Sequence, residues 1–310
     1  MRIVDVKVEP VELPARPSFR RGGRLPSPSR VGAVLRIVTD DGFEGVVHSR
    51  RGQVLMDVVE QLLADELVGE DPLARERLWE RMWEIDRVEK FPVHVLGLVD
   101  VALWDLAGKA AGMPVHRLLG GYRERIPAYA SLATFHSVEE HLDVIDQCLE
   151  LGFPAVKLRG WGDPRRDAEL CLAARAHVDG RAVLMYDGSG AFDLPDAVYV
   201  GQALTEARYL WYAEPMREFS VTSYRWLADR IGVPLLVAES AEGRNLNVAD
   251  FISSGCAEYV HTGELSRVGS LTGWSQRSVV IPASVRRERI VDTQASRVNS
   301  VPPRRSRTRS

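Results

Sequence analysis

The sequence predicts an α/β protein in which an N-terminal α+β domain precedes an incomplete (β/α) barrel of the TIM type, with about six of eight strands. From Ile126 onward, short apolar runs typical of strands recur at near-constant spacing, and helical stretches lie between them. Before Ile126, strand and helix patterns occur without that period. Regular strand–helix repeats indicate a parallel sheet with crossover helices.

The N-terminal residues alternate as strands do, and a strand-like pair surrounds Asp40, Asp41 and Gly42, a hairpin signal. The segment 16–30 is rich in Gly, Pro, Ser and Arg and is predicted to be a loop. Three amphipathic helices with apolar residues at helical spacing are predicted to follow, over 53–67, 74–88 and 95–111.

The barrel prediction depends on six apolar runs whose starts lie 23 to 28 residues apart. Asp163 and Pro164 are suited to cap and begin a helix between two of them. Six units with a near-constant period favour a barrel over an open doubly wound sheet. Because a Gly-rich dinucleotide fingerprint follows none of the runs, a Rossmann fold is not expected. The runs span 126–131, 154–159, 182–187, 209–214, 234–239 and 257–262.

We therefore divide the chain into an N-terminal domain over 1–122, a partial barrel over 123–274 and an atypical tail over 275–310. The tail holds nine Arg and two acids, for a net charge of +7, whereas residues 1–274 carry −10. Because the tail lacks helical periodicity and interleaved aromatic residues, we expect it to be disordered or frameshifted, with no nucleic-acid partner.

Composition indicates a cytoplasmic protein with no membrane partner. Of the 310 residues, 45% are hydrophobic and 27% charged, and an apolar run long enough for a transmembrane helix is absent from the sequence. The N-terminus lacks the apolar core of a signal peptide. The three cysteines are widely spaced, which indicates reduced, mostly buried thiols.

Three successive predicted strands end on an acid: Asp187, Glu214 and Glu239. In a parallel barrel the carboxyl ends of the strands meet at one face, so these side chains are expected to converge. Their mutual repulsion requires a cation, and ligation by oxygen alone favours Mg²⁺. A lone acid at a strand end could simply cap the next helix, but three in series favour a metal site.

Lys157 and Arg159 lie two residues apart on the preceding strand and therefore share one side of the pleat. A site with a metal, a Lys and an Arg suits removal of the α-proton of a carboxylate substrate through an enediolate. A Lys or a His would act as the base.

The sequence resembles the mandelate racemase/muconate lactonizing enzyme branch of the enolase superfamily over about residues 1–274. The similar segments are "VALWDLAGKAAGMPVHRLLGG", "AVKLR", "MYDGSG", "YAEP", "VAES" and "LSRVGSLTGW". The resemblance implies that Asp187, Glu214 and Glu239 bind Mg²⁺, and that the N-terminal domain caps the barrel with loop 16–30 helping to select substrate. It also implies a hydroxy-carboxylate substrate such as a sugar acid, and a possible homo-oligomer.

The sequence departs from the family at the base. Arg159 occupies the place of a second Lys and is a poor base, because arginine stays protonated. The resemblance implies that members with this pattern use a His on the seventh strand as the base, paired with an acid after the sixth strand. That acid position falls at Glu264 or, one residue earlier, at Gly263. Ser189 replaces a usual Asn, and residues 275–310 contain no His and no family motif.

We hypothesise a shifted reading frame near codon 275, which resequencing tests, and we expect little or no turnover from this chain. Dehydration is the expected reaction, and racemisation or epimerisation is the alternative. Two other classes remain open: a truncated non-catalytic binding protein, and a Schiff-base aldolase that uses Lys157. Magnesium-dependent stabilisation without turnover would favour the first, and borohydride trapping on Lys157 the second.

Overall fold

A computed structural model describes residues 1–14, 18–20, 23–25, 30–238 and 245–260, with backbone alone for 18–20, 23–25 and 245–247. Predictions for Glu239, Glu264 and the tail therefore lie outside the described residues. Within the part that is described, every helix is too short or too polar to cross a lipid bilayer. Each of the three cysteines is buried with a free thiol, as predicted.

The N-terminal part begins with an antiparallel sheet in the order β1–β4–β5. Strand β1 spans Ile3–Leu13, β4 spans Arg30–Thr39 and β5 spans Glu44–Ser49. The β4–β5 connection contains the predicted Asp40–Asp41–Gly42 turn, and Gly42 has a φ of 87°. A residue without a Cβ adopts that backbone conformation at little cost.

The segment predicted as a loop over 16–30 contains a short antiparallel ribbon, so that prediction is wrong in part. Strand β2, Ser18–Arg20, pairs with β3, Gly23–Leu25. Strand pairing depends on backbone N–H and C=O groups, and Gly and Arg residues carry these groups as other residues do. A composition typical of loops therefore does not prevent pairing.

The three predicted helices are present, the first of them interrupted. A π-helical turn at Val59–Leu63 separates α1, Gly52–Val58, from α2, Ala64–Leu67. The other two helices are continuous, and a short one follows them. They are α3, Arg75–Glu89; α4, His94–Ala110; and α5, Val115–Leu118.

Helix α4 is buried along most of its length and packs against β5 at very short range. A Cβ built on Gly45 would lie 2.0 Å from the carbonyl oxygen of Ala102, so only glycine allows this approach. Asp105 of α4 accepts a hydrogen bond from the Val46 backbone N–H at 2.8 Å and one from Lys109 at 2.7 Å. Sheet and helix thus form one hydrophobic core.

The second part contains the predicted parallel sheet, with six described strands in the order β11–β10–β9–β8–β7–β6. The fold class is confirmed, whereas the domain bounds 1–122, 123–274 and 275–310 stay predictions. The strands are β6, Ala130–Ser131; β7, Ala155–Arg159; β8, Val183–Asp187; β9, Tyr212–Ala213; β10, Leu235–Val237; and β11, Tyr259–Val260. The intervening helices are α6, Val138–Glu150; α7, Pro164–Val178; α8, Leu194–Glu206; α9, Val221–Ala228; and α10, Asn245–Ser253.

Two strands are much shorter than predicted. The run 126–131 pairs only at Ala130–Ser131, and the run 209–214 only at Tyr212–Ala213. Ile126 is 81% exposed and precedes a proline, which cannot donate to a ladder. Asp163 caps α7 as predicted, because its side chain accepts the backbone N–H groups of Arg165 and Arg166.

The two faces of the parallel sheet carry different residues. Val156, Leu158 and Leu184 belong to the large core that the helices cover. Ala155 and Met185 belong to a separate cluster with Trp211 and Tyr259 on the opposite, inner face. By strand alternation, Lys157, Arg159 and Asp187 share the inner face with Ala155 and Met185.

The loop after β7 is fixed by Asp167, a carboxylate with 0% exposure. Asp167 accepts hydrogen bonds from the backbone N–H groups of Trp161 and Gly162 at 2.8 and 2.9 Å, and from the Tyr186 hydroxyl at 2.8 Å. Burial raises the pKa of Asp167, and these hydrogen bonds oppose that rise. The carboxylate thus ties the exit of β7 to α7 and to β8.

We predict that Asp167→Asn lowers the free energy of unfolding by about 2 to 4 kcal/mol, because an amide NH₂ would face donors inside the protein. Urea unfolding followed by circular dichroism measures the change. Glu169→Gln, two residues further along α7 and exposed, is the matched control and should alter stability very little. Equal stability of the two variants would contradict the anchoring role of Asp167.

Candidate active site

Asp187 is the last residue of β8 and lies at the centre of the candidate site. Its neighbours in register are Arg159 at the end of β7 and Ala213 at the end of β9. The residue is only 1% exposed, which makes its charge costly unless other groups compensate it.

Two cations compensate one carboxylate oxygen of Asp187. Lys157 Nζ lies 3.1 Å from Oδ2, and Arg159 Nη2 donates to the same oxygen at 2.5 Å. Lys157 is 8% exposed, and its ammonium lies 5.8 Å from the centre of the Tyr129 ring. The structure thus brings together three of the residues that the sequence predicted.

The other oxygen of Asp187 is held by the loop that follows β8. The backbone N–H and the hydroxyl of Ser189 donate to Oδ1 at 2.9 and 3.1 Å. Ser189 has a φ of 51°, in the left-handed region that residues with a side chain seldom adopt. Ser189 therefore supports the carboxylate through a local turn.

The pKa of Asp187 reflects a balance of opposing effects. Burial alone would raise the pKa, but the charges of Lys157 and Arg159 outweigh burial and hold it below its ordinary value. The carboxylate therefore stays ionised at neutral pH, as a metal ligand or a partner for cations must.

Glu214 directly follows β9 and is half-buried, with a φ of 40°. Its carbonyl oxygen accepts the Gly190 backbone N–H at 2.7 Å, so the loops after β8 and β9 are joined. A Cβ built on Gly188 would lie 2.8 Å from that carbonyl oxygen, which explains the glycine beside Asp187. Asp187 and Glu214 thus occupy neighbouring strand ends at the same edge of the sheet.

The predicted third metal ligand, Glu239, lies outside the described residues, and so does Glu264. Within the described ranges, no group of three or more His, Cys, Asp or Glu side chains is arranged to hold a metal ion. The donor chemistry nevertheless fits Mg²⁺, because the carboxylate oxygens of Asp187 and Glu214 are the hard ligands that this ion prefers.

Sequence reasoning missed two groups near this edge. Ser131 of β6 is paired in register with Lys157, which places an exposed hydroxyl-bearing residue beside the site. Glu218, in the loop after β9, is only 5% exposed, and its carboxylate accepts the backbone N–H of Ala238. Glu218 lies in loop sequence, which carries no periodic signal, and Ser131 ends the predicted run 126–131 on a hydroxyl and not on an acid.

Two family models match this chain. Residues 27–120 match the N-terminal domain of mandelate racemase and muconate lactonizing enzyme, and residues 142–278 match the enolase C-terminal domain-like family. The structure of D-glucarate dehydratase from Agrobacterium tumefaciens, complexed with magnesium, superposes with a TM-score of 0.81 at 31% identity, covering 88% of this chain and 76% of that one. The chain belongs to the mandelate racemase/muconate lactonizing enzyme branch of the enolase superfamily.

Curated members of the superfamily similar to this chain include sugar-acid dehydratases. L-Talarate/galactarate dehydratase of Salmonella typhimurium LT2 is 27% identical over 66% of this chain and 54% of its own length. D-Galactonate dehydratase of Pectobacterium atrosepticum is 30% identical over 66% of this chain and 57% of its own length. The chain thus spans little more than half the length of these relatives.

We predict that Lys157→Met lowers the free energy of unfolding by about 2 kcal/mol in the absence of divalent ions, because buried Asp187 loses one of two cations. Asp187→Asn should offset part of that loss, so the double variant should be more stable than the sum of the single changes implies. Urea unfolding of all four proteins gives the coupling energy. Strict additivity would contradict a direct Lys157–Asp187 interaction.

Proposed function

We propose that this chain carries the α-proton-abstraction site of a Mg²⁺-dependent acid-sugar dehydratase. The supporting observation is a buried carboxylate at a barrel strand end, Asp187, held by Lys157 and Arg159 in a member of the enolase superfamily. Several similar curated proteins bear dehydratase names, including enzymes for galactonate, arabinonate and galactarate. This favours dehydration over racemisation.

Asp187, Glu214 and Glu239 would hold the metal. Mg²⁺, when bound, would offset the negative charge that develops on the substrate carboxylate as the α-proton leaves. Asp187 already stays ionised through its cationic neighbours, and Glu214 lies at the adjacent strand end. Glu239 follows the third strand of the series, and its role is taken from the sequence pattern.

Lys157 and Arg159 would bind the substrate and stabilise the enediolate. Both project from β7 toward Asp187 on the inner face, where a substrate carboxylate could take up one of their hydrogen bonds. Arg159 cannot serve as a base, because a guanidinium remains protonated in proteins. Lys157 could move a proton only after release from Asp187, so its main effect would be electrostatic.

The resemblance places the base for the opposite face of the substrate on a histidine of a seventh strand. Glu264 would orient a histidine, but the sequence holds no histidine after His261. We therefore expect the 310-residue chain to bind metal and acid sugar with little or no turnover. The homo-oligomer that the resemblance implies stays a prediction.

Metal binding provides the first test. We predict that Mg²⁺ raises the melting temperature of the chain, and that Asp187→Asn, Glu214→Gln and Glu239→Gln each weaken Mg²⁺ binding at least about 10-fold in calorimetric titration. Loss of a charged oxygen ligand is the physical reason. Glu206→Gln, an exposed acid at the end of α8, is the matched control and should bind Mg²⁺ normally. Normal binding by all three ligand variants would contradict the site.

Substrate class provides the second test. In saturating Mg²⁺, we predict that galactonate, glucarate, galactarate or arabinonate stabilises the chain further, whereas the corresponding alditols do not, because only the acids offer a carboxylate. Thermal shift measures binding, and NMR of the same mixtures detects any keto-deoxy acid product. Failure of every acid to stabilise the protein would contradict the proposed substrate class. Rapid product formation would contradict the expectation of little or no turnover.

A further inference from the structure

Glu218 is a buried acid that neither the sequence pattern nor the proposed chemistry uses. It lies between β9 and α9, four residues beyond Glu214, and is 5% exposed. Its carboxylate accepts a hydrogen bond from the backbone N–H of Ala238, twenty residues further along the chain. Its charge also reaches Tyr224, whose pKa is raised mainly by burial and then by Glu218.

The Glu218 carboxylate accepts its hydrogen bond from a strained residue of the backbone, Ala238. Ala238 has a φ of 77° and is 3% exposed, so an ordinary side chain adopts a conformation that favours glycine. Such strain persists where neighbouring groups hold the backbone, and a hydrogen bond to a charged oxygen is among the strongest available. Ala238 directly precedes Glu239.

The loop that carries Glu218 is itself held firmly at several points. The Glu214 and Pro215 carbonyl oxygens accept the backbone N–H groups of Gly190 and Phe192 at 2.7 and 3.2 Å. The Tyr224 hydroxyl donates to the Met216 carbonyl oxygen at 2.5 Å. Glu218 therefore projects from a rigid loop, and its reach to Ala238 is fixed by the same loop that begins at Glu214.

We propose that Glu218 is a positioning residue for the metal site. It holds Ala238, the last described residue before Glu239, and thereby links the end of β10 to the loop that begins at Glu214. The inference rests on the proposed function. A group that only stabilised the fold would not be expected to alter the affinity of the folded protein for Mg²⁺.

The test compares variants that keep or remove the acceptor, using Mg²⁺ itself as the probe. Glu218→Ala should weaken Mg²⁺ binding about 10- to 100-fold in calorimetric titration of the full chain. Glu218→Gln retains a carbonyl oxygen for the Ala238 N–H and should stay within about threefold of the parent. Glu206→Gln serves again as the matched surface control.

A second pair of variants separates positioning from stability. Glu218→Asp keeps the charge but shortens the side chain by one methylene, so its carboxylate should no longer reach the Ala238 N–H. It should therefore weaken Mg²⁺ binding to the same extent as Glu218→Ala, and it provides the test if the alanine variant does not fold. Adding Ala238→Gly to Glu218→Asp should restore part of the Mg²⁺ affinity, because glycine adopts the required φ without a hydrogen bond to the carboxylate. Circular dichroism establishes that each protein is folded.

The outcomes distinguish the two proposals. If the parent chain does not bind Mg²⁺, the metal site is wrong and the role of Glu218 falls with it. If Glu239→Gln binds Mg²⁺ like the parent, Glu239 is not a ligand, and the role of Glu218 falls although the rest of the site can stand. If Glu239→Gln loses binding while Glu218→Asp binds like the parent, only the positioning role is overturned. Loss of binding in Glu218→Asp together with partial recovery by Ala238→Gly would support it.

Discussion

The compensation of one buried charge, on Asp187, constrains the whole candidate site. A carboxylate that is 1% exposed would be strongly destabilising if it stood alone. Lys157 and Arg159 satisfy one of its oxygens, and Ser189 satisfies the other. These contacts fix the ends of β7 and β8 relative to each other, so the positions of the cations follow from the need to neutralise a single acid.

The same arrangement explains how the site could persist with and without a divalent ion. Without one, Lys157 and Arg159 balance Asp187 directly. On the proposed function, Mg²⁺ would take over part of that balance, and the two cations would become available to a carboxylate substrate. The inner face of β7 is thus cationic where it reaches the rim, and apolar at Ala155, where it joins the inner core.

Three of the six non-glycine residues with positive φ in the described part of the chain lie at the same edge of the sheet. Ser189, Glu214 and Ala238 follow three successive strands, and each has a positive φ. Such residues cost about 1 to 3 kcal/mol each and persist where the surroundings hold them. Here the restraints are hydrogen bonds between loops of neighbouring strands, and the buried carboxylate of Glu218 supplies one of them. The sheet thus provides a rigid frame at the point where the chemistry is proposed.

The sequence by itself determined the fold class, the three helices of the N-terminal part, the cap of α7 by Asp163, and the shared face of Lys157, Arg159 and Asp187. These features follow from local propensity and from the alternation of side chains along a strand, which operate over a few residues. The mandelate racemase/muconate lactonizing enzyme resemblance came from short segments at strand ends and from the longer segment 101–121.

Only the tertiary structure decided the ribbon within 16–30, the shortness of β6 and β9, the anchoring by Asp167 and the contact between Glu218 and Ala238. Each depends on hydrogen bonds that join backbone or buried acid groups across different loops and strands. A buried carboxylate and an exposed one look alike in a sequence, since burial is set by the elements that pack around them. The partners of Glu218 and Asp167 therefore became visible only once the chain was folded.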